Sequence, residues 1–410
     1  MKKPLFVQKY GGSSVADTDC LRRVANRIAH DYREGRNIVV VVSAMGKTTD
    51  RLIAMARELN ADPNDREYDQ LLSTGEQTTI SLLSMALHHI GIDAVSMTGT
   101  QAGIRTDASH TKAKITAIDP HRVQENLDHG RVVIVAGFQG QNPSMDTATL
   151  GRGGSDLTAV AMAAALKADR CQIFTDVDGV YTADPRVVPK ARKLDVVACD
   201  EMLELASMGA KVLQSRSVEF AKKYGVELEV LTSFEHKPGT IVTEATDMED
   251  VLVRGVAADK NQAKVTLRGV DDEPGVAARL FNSVADAGVN VDVIVQNVSE
   301  EGHTDISFTV PRDDLAKVKK CIEGLKDVDF RQVLYSDHIA KVSLVGVGMR
   351  SHTGVASKVF STLAELEMNI QMISTSEIRV SVVVDEEEAD NASRALHTAF
   401  DLDGDEPPTA

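Results

Sequence analysis

The pattern of apolar and polar residues divides the chain into two parts. Over roughly the first 240 residues, short apolar runs of strand length alternate with segments of helical periodicity, and 98–107 is a turn-rich loop. Strands are predicted at 5–7, 38–42, 94–97, 132–136 and 171–175, and helices up to about residue 33, over 66–90, from residue 157 and over 201–224. This alternation predicts a doubly wound, mainly parallel α/β sheet, which ends near Pro238 and Gly239.

The second part of the chain repeats itself at a spacing of about 77 to 79 residues. Residues 263–267 (AKVTL) match 340–344 (AKVSL), and Gly275 matches Gly354. Each copy reads as a strand, a glycine-containing loop, a helix and two further strands, which is typical of a ferredoxin-like βαββαβ unit. Three domains are therefore predicted, at 1–245, 263–335 and 340–402. Paired units of this kind commonly share a sheet or form a dimer interface.

A glycine-rich loop enters the helix that begins near residue 157. Its glycines are Gly151, Gly153 and Gly154. They allow a sharp turn and a close approach to a ligand, and the helix N-terminus favours an anion. Arg152 offers two parallel donors to a carboxylate or phosphate, and Asp156 could hold a cation or orient a donor. Ser155 or Asp156 is expected to cap the helix. A plain βα turn is the alternative.

A second glycine turn follows the first predicted strand. Lys9 precedes the backbone amides of Gly11, Gly12 and Ser13, which together could cradle phosphoryl oxygens. A surface lysine before a tight turn is the other interpretation of this segment. Further along, Thr175 and Asp176 end a strand, and Tyr181 and Arg186 follow in an acidic loop. A nucleotide-binding role for this loop is favoured over a calcium site. Lys211 lies in a later helical segment, where it could reach a phosphate.

Composition restricts the function classes. A net charge of −16 over 410 residues argues against a nucleic-acid partner. The four cysteines (Cys20, Cys171, Cys199 and Cys321) are widely scattered, which indicates reduced thiols in a cytoplasmic protein. No signal peptide and no membrane-spanning segment are expected, because the apolar runs are too short.

Six motifs in order resemble those of aspartate kinases of the amino-acid kinase fold: KYGGSS, VVSAMG, TGEQ, LGRGGSD, TDVDGVYTADPR and GAKVL. The duplicated tail is similar to their paired ACT domains. The resemblance implies transfer of a phosphoryl group from ATP, with Mg²⁺, to the side chain of L-aspartate, giving 4-phospho-L-aspartate at the start of lysine, threonine and methionine synthesis. The magnesium is implied by the ATP chemistry and not by any cluster of protein ligands.

The resemblance also implies residue roles. Lys9 and Asp156 would be catalytic. Aspartate would contact Ser43, Thr49, Glu76, Arg152 and Ser155, with Glu76 suited to its ammonium group. ATP would contact Lys9, Gly11, Gly12, Ser13, Thr175, Asp176, Tyr181, Arg186 and Lys211.

For the tail, the resemblance implies feedback inhibition by lysine, threonine or both at ACT–ACT interfaces. The effector residues would be Asp272, Pro274, Gly275, Val276, Ala277, Asn290, Val291, Asp292 and Gln296 in the first unit, and Asn369, Ile370, Ser376 and Glu377 in the second. Ordinary turn and strand chemistry explains the asparagines equally well. Thr353 stands where many relatives have proline, which weakens the case for the second site.

The assembly and two rival functions stay open at this stage. Residues 251–261 are a candidate strand of the second ACT unit. The chains are expected to form a homo-oligomer through the ACT units, or to pair with a small subunit that starts internally near Met248. The rivals are a kinase of the same fold acting on glutamate, N-acetylglutamate or a nucleoside monophosphate, and an amino-acid sensor that has lost catalysis.

Overall fold

The computed structural model describes residues 3–207, 212–244, 252–297, 302–350 and 354–403. These residues form two compact units. The first unit contains the chain up to Val180 and resumes at Lys193. The second contains the short segment Tyr181–Arg192 and the described residues from 252 onward. Among the described residues, none of the helices has both the length and the hydrophobicity that a membrane span needs.

The first unit is a parallel-rich sheet covered by helices. Its strands are β1 (Leu5–Tyr10), β2 (Asn37–Val42), β3 (Ala94–Met97), β4 (Ile104–Thr106), β5 (Ile115–Ile118), β6 (Val132–Ala136), β7 (Gln139–Gln141), β8 (Thr147–Thr149), β9 (Arg170–Thr175), β10 (Val196–Ala198), β11 (Leu228–Thr232) and β12 (Thr240–Thr243). Its helices are α1 (Thr18–Arg33), α2 (Thr48–Leu59), α3 (Asp65–His89), α4 (His121–Asp128), α5 (Gly154–Leu166), α6 (Cys199–Ser207) and α7 (Ser215–Tyr224).

The main sheet has the strand order β10-β12-β11-β9-β1-β2-β6-β3, and only β11 and β12 pair antiparallel. The run of valines in β2 is fully buried because this strand lies between β1 and β6. In α5, nearly every residue is buried, and small side chains such as Ala159 and Ala163 permit that burial. The predicted doubly wound α/β fold is confirmed.

Three local predictions for this unit are wrong. The single helix predicted over 201–224 is two helices, because Gln214 has an extended backbone where it caps α7. The predicted loop 98–107 contains β4, which joins β5, β7 and β8 in a separate four-stranded sheet. The N-cap of α5 is Gly153, at φ 70°, whereas Ser155 and Asp156 lie in the first turn. An αL cap position favours glycine, since a Cβ would be strained there.

The second unit contains one six-stranded sheet built from the two repeats. Its strands are β13 (Gly255–Asp271), β14 (Ile294–Gln296), β15 (His303–Pro311), β16 (Gln332–Val345), β17 (Met372–Ser376) and β18 (Arg379–Asp385), and its helices are α8 (Val276–Asp286), α9 (Leu315–Glu323), α10 (Val355–Glu365) and α11 (Ala389–Ala399). The order is β14-β15-β13-β16-β18-β17. The ferredoxin-like interpretation of the repeats is confirmed.

The long strand β13 contributes to the cores of both repeats. Near its beginning, Val256 packs with Val342 and Val382 in the core of the second repeat. Further along, Val265 and Leu267 pack in the core of the first repeat. The two repeats therefore interleave through this strand. The domain boundaries given above remain predictions.

Candidate active site

The centre of the site is an ion pair between β1 and α5. Lys9 Nζ lies 2.7 Å from Asp156 Oδ1, and each side chain is 11% exposed. Both residues approach the carboxyl edge of the main sheet, where open α/β sheets bind their ligands. A Cβ on Gly11 would lie 3.3 Å from Lys9 Nζ, so the turn passes close to the ammonium group. The structure thus joins the two glycine segments through their charged residues.

The turn after β1 packs against the loop after β2. The Gly46 amide donates to the Gly12 carbonyl at 3.0 Å, and the Ser43 amide donates to the Tyr10 carbonyl at 3.1 Å. A Cβ on Gly12 would lie 3.0 Å from the Ala44 carbonyl oxygen, so a side chain there would crowd the second loop. The two loops form one surface at this edge of the sheet, with Ser43 half-buried in it.

Glu76 approaches the same loop from α3. Its Oε1 accepts a hydrogen bond from the Ala44 amide at 3.0 Å, and the residue is 3% exposed. Its Oε2 is buried and has no hydrogen-bond partner among the described residues. Burial raises the pKa of the Glu76 carboxyl to about 7, although hydrogen bonds from its own amide and that of Ala44 oppose the shift. A buried acceptor of this kind suits a cationic ligand group.

The remaining aspartate-side residues lie on three elements. Ser155 is buried in the first turn of α5, where a Cβ on Gly137 would lie 2.6 Å from its Oγ. Thr49 is half-buried in the first turn of α2. Arg152 is exposed in the turn that leads into α5, so its guanidinium is available to a ligand.

The nucleotide-side residues divide between the two units. In the first unit, β9 ends at Thr175, whose Oγ1 donates to Asp176 Oδ1 at 3.0 Å. The Gly11 amide donates to the Phe174 carbonyl at 3.4 Å, which ties this strand end to the turn after Lys9. Tyr181 and Arg186 belong to the second unit, where Arg186 Nη2 donates to Asp184 Oδ2 at 2.7 Å. Lys211 lies outside the described residues.

The described ranges contain no group of three or more His, Cys, Asp or Glu side chains arranged to hold a metal ion. Asp156 is the carboxylate beside Lys9 at the sheet edge. One carboxylate together with phosphate oxygens is a donor set that suits Mg²⁺, which keeps much of its water shell and seldom uses an all-protein cage. The residues present therefore fit a magnesium ion that arrives with its nucleotide.

Comparisons with known proteins identify the family. The amino acid kinase family model matches residues 4–232, and the ACT domain model matches 265–324 and 342–400. The chain is 53% identical to the aspartokinase of Mycolicibacterium smegmatis over 98% of this chain and 97% of the relative. It is also 53% identical to the aspartate kinase Ask_LysC of Stutzerimonas stutzeri, over 99% of both chains. The chain belongs to the aspartokinase family. The resemblance found in the motifs is confirmed.

Two solved structures of the family extend the comparison. The chain superposes on E. coli aspartokinase III in complex with aspartate and ADP (R-state) with a TM-score of 0.81 and 26% identity, covering 96% of this chain and 99% of the other. For the same enzyme in complex with lysine and aspartate (T-state), the TM-score is 0.75 and the identity 27%, covering 97% and 99%. Both alignments include the kinase and ACT regions of this chain.

The two ACT repeats present matching loops. Helix α8 begins after Gly275 at φ 96°, and α10 begins after Gly354 at φ 97°. Asp272 and Pro274 are exposed just before the first of these helices. The other predicted effector residues lie on or beside these two helices and the edge strands β14 and β17: Val276, Ala277, Asn290, Val291, Asp292, Gln296, Asn369, Ile370, Ser376 and Glu377. Thr353 and Met248 lie outside the described residues.

Reciprocal lysines link the two ACT repeats. Lys341 on β16 pairs with Asp292 of the first repeat, and Lys264 Nζ on β13 donates to Gln371 Oε1 of the second at 2.5 Å. These two contacts between the repeats are not among the contacts predicted from the sequence. The repeat alignment places the two lysines at equivalent positions. The alignment alone does not show that each lysine contacts the other repeat.

Proposed function

We propose that this chain is an aspartate kinase, which transfers the γ-phosphoryl group of ATP to the side-chain carboxylate of L-aspartate. The products are 4-phospho-L-aspartate and ADP, and the reaction would begin lysine, threonine and methionine synthesis. The observation that carries the proposal is the Lys9–Asp156 pair at the sheet edge, beside two glycine turns. The curated relatives named aspartokinase support the choice of aspartate as acceptor.

The chemistry needs positioning and charge neutralisation. The aspartate side chain is already ionised at neutral pH, so no general base is required. Lys9 would stabilise the negative charge on the transferring phosphoryl group, and Asp156 would hold the ammonium group in place. Backbone amides of Gly11, Gly12 and Ser13 would receive phosphate oxygens. Mg²⁺, when bound, would supply further positive charge to the phosphate groups.

The acceptor would be held at its two ends. Glu76, with its unpartnered buried Oε2, would receive the α-ammonium group, and Arg152 would bind a carboxylate through two parallel hydrogen bonds. Ser43, Thr49 and Ser155 would donate further hydrogen bonds. The complex of aspartokinase III with aspartate and ADP supports binding of aspartate and of an adenine nucleotide by this chain. The ATP contacts would be Thr175, Asp176, Tyr181, Arg186 and Lys211.

Regulation is proposed through the ACT repeats. Lysine, threonine or both would bind the effector residues given above and favour an inactive state, acting through different affinities for two conformations. The lysine complex of aspartokinase III supports lysine as one effector. We also propose a cytoplasmic homo-oligomer that pairs through its ACT repeats, or an assembly with a small internally started subunit.

The decisive experiment is an ADP-release assay with ATP, Mg²⁺ and L-aspartate. Glutamate, N-acetylglutamate and a nucleoside monophosphate serve as rival acceptors, and each aspartate reaction is repeated with lysine, with threonine and with both. We expect turnover on aspartate alone, reduced by at least one end product. Turnover on a rival acceptor would replace the proposal, and amino-acid binding without any turnover would indicate a sensor.

Glu76 gives a pH prediction for substrate binding. Because protonated Glu76 has no charge to attract an ammonium group, kcat/KM for aspartate is expected to rise as the pH passes through about 7. A Glu76→Gln variant should lose this rise, and kcat/KM for ATP should not show it in either protein. A wild-type profile for aspartate that is flat across this range would contradict the assigned role.

The same group gives a stability prediction. The folded-state pKa of about 7 lies above the ordinary value of 4.5, so the folded state holds an extra proton between these values. The contribution of Glu76 to stability is therefore full below about pH 4.5 and is lost as the pH rises through about 7. Thermal unfolding of wild type and Glu76→Gln at several pH values should show the variant gaining relative stability as the pH increases.

A further inference from the structure

Helix α3 carries a fully buried carboxylate that the proposed reaction does not use. Asp69 is 0% exposed and accepts four hydrogen bonds. The donors are His110 Nδ1 at 2.8 Å, the Thr111 amide at 2.9 Å, the Thr149 amide at 3.0 Å and Thr149 Oγ1 at 2.5 Å. A buried carboxylate is costly unless such donors satisfy it, so this arrangement specifies the positions of the groups around it.

The donors come from two segments that lie next to the start of the glycine-rich loop. His110 and Thr111 belong to the connection between β4 and β5, and Thr149 ends β8. The segments also join each other, because the Ala113 amide donates to the Thr149 carbonyl at 2.9 Å. A Cβ on Gly151 would lie 3.2 Å from the Thr111 carbonyl oxygen, so the chain passes close to this connection as it enters the glycine-rich loop.

His110 extends the network by one more residue. With its proton on Nδ1, the ring donates to Asp69 and accepts at Nε2 from Asn142 Nδ2 at 3.4 Å. The Asn142 side chain in turn accepts from the Ser144 and Asp146 amides, which fixes the turn between β7 and β8. The network therefore holds both ends of the strand that leads to Arg152.

The position of Asp69 on α3 connects this network to Glu76. The two residues are seven positions apart on the helix and so lie on the same face. Between them, the Ser73 carbonyl accepts from Gln139 Nε2 at 3.0 Å. One rigid helix thus fixes the loop after β2 through Glu76 and the approach to Arg152 through Asp69.

We propose that Asp69 is a positioning residue for aspartate, which sets the distance between the Arg152 loop and Glu76. This inference rests on the proposed function, because Arg152 and Glu76 are the groups assigned to the carboxylate and ammonium of the acceptor. Asp69 acts on the bound aspartate indirectly, because its hydrogen bonds to Thr111 and Thr149 fix the backbone that leads to Arg152. Loss of its four hydrogen bonds releases the start of the glycine-rich loop.

The test compares Asp69→Ala with two variants in the full-length enzyme. Asp69→Asn keeps the shape and one acceptor oxygen, while its amide can donate to Thr149 Oγ1, so it is the conservative rescue. Glu67→Ala removes an exposed acid from the same helix and is the matched control. Steady-state kinetics gives the KM for aspartate and for ATP, and hydrogen exchange reports on the amides of residues 150–154.

For Asp69→Ala we expect the aspartate KM to rise about tenfold or more with the ATP KM unchanged, since small misplacements of binding groups are costly. Exchange at 150–154 should accelerate, Asp69→Asn should recover most of both effects, and Glu67→Ala should match wild type. Unchanged aspartate KM and unchanged exchange in folded Asp69→Ala would overturn the proposal, as would equal rises in both KM values.

Two further results keep the test decisive. If Asp69→Ala does not fold, His110→Ala and Thr149→Val each remove one donor, and each should raise the aspartate KM several-fold; no rise in either would overturn the proposal. If wild type does not phosphorylate aspartate, the proposed function fails. Hydrogen exchange still tests the positioning of the loop in that case, so the two failures can be distinguished.

Discussion

Replacing Lys9 with methionine is expected to lower turnover by about 10²-fold or more, with the protein still folded. The Lys9 ammonium group lies 2.7 Å from the Asp156 carboxylate, and 11% of the lysine side chain is exposed. Methionine has a similar length but no charge, so the transferring phosphoryl group would lose a preorganised positive partner. Single-turnover measurement of ADP formation with aspartate and saturating ATP gives the effect directly.

Two companion variants separate charge from geometry. Lys9→Arg keeps the positive charge but spreads it over a planar fork, so it should recover only part of the activity. Asp156→Asn leaves Lys9 in place without its orienting carboxylate and should also reduce turnover strongly. Near-normal turnover in folded Lys9→Met, checked by far-ultraviolet circular dichroism, would remove Lys9 from the catalytic role.

The fold of the first unit could be predicted because its signals are local. The valines of β2 and most of the alanines of α5 are buried, so their composition alone identifies a central strand and a packed helix. The four-stranded sheet was missed because its strands are three or four residues long and their pairing joins distant segments, as where Arg105 on β4 pairs with Gln141 on β7. Short strands carry too few residues for a periodic pattern.

The sequence identifies individual site residues but not the hydrogen bonds that connect them. Lys9 and Asp156 were singled out from glycine turns, and the structure brings them together. Asp69 carries no such signal, because an aspartate in a helix is ordinarily a surface residue and its four donors come from residues 41 to 80 positions away. The segment Tyr181–Arg192 clusters with the second unit, which no property of its sequence indicates.

The ion pair between the ACT repeats gives the second large effect, this time on stability. Lys341 is 1% exposed, and its ammonium group pairs with Asp292, whose side chain is 30% exposed. Asp292→Ala would leave the lysine buried without its counter-ion. The free energy of unfolding of the ACT repeats is therefore expected to fall by about 3–5 kcal/mol. Chemical denaturation followed by circular dichroism, with hydrogen exchange of the β16 amides, measures the loss.

The equivalent lysine, Lys264, provides a control for the Asp292→Ala prediction. Lys264 is only half-buried and donates to a neutral amide, so Gln371→Ala should cost about 1 kcal/mol or less, because the ammonium group can turn toward water or Asp385. A double variant, Asp292→Ala with Lys341→Met, should regain most of the stability, since methionine fills the space without a charge. If Asp292→Ala costs no more than Gln371→Ala, or if Lys341→Met fails to rescue it, the loss does not arise from an unpaired buried charge.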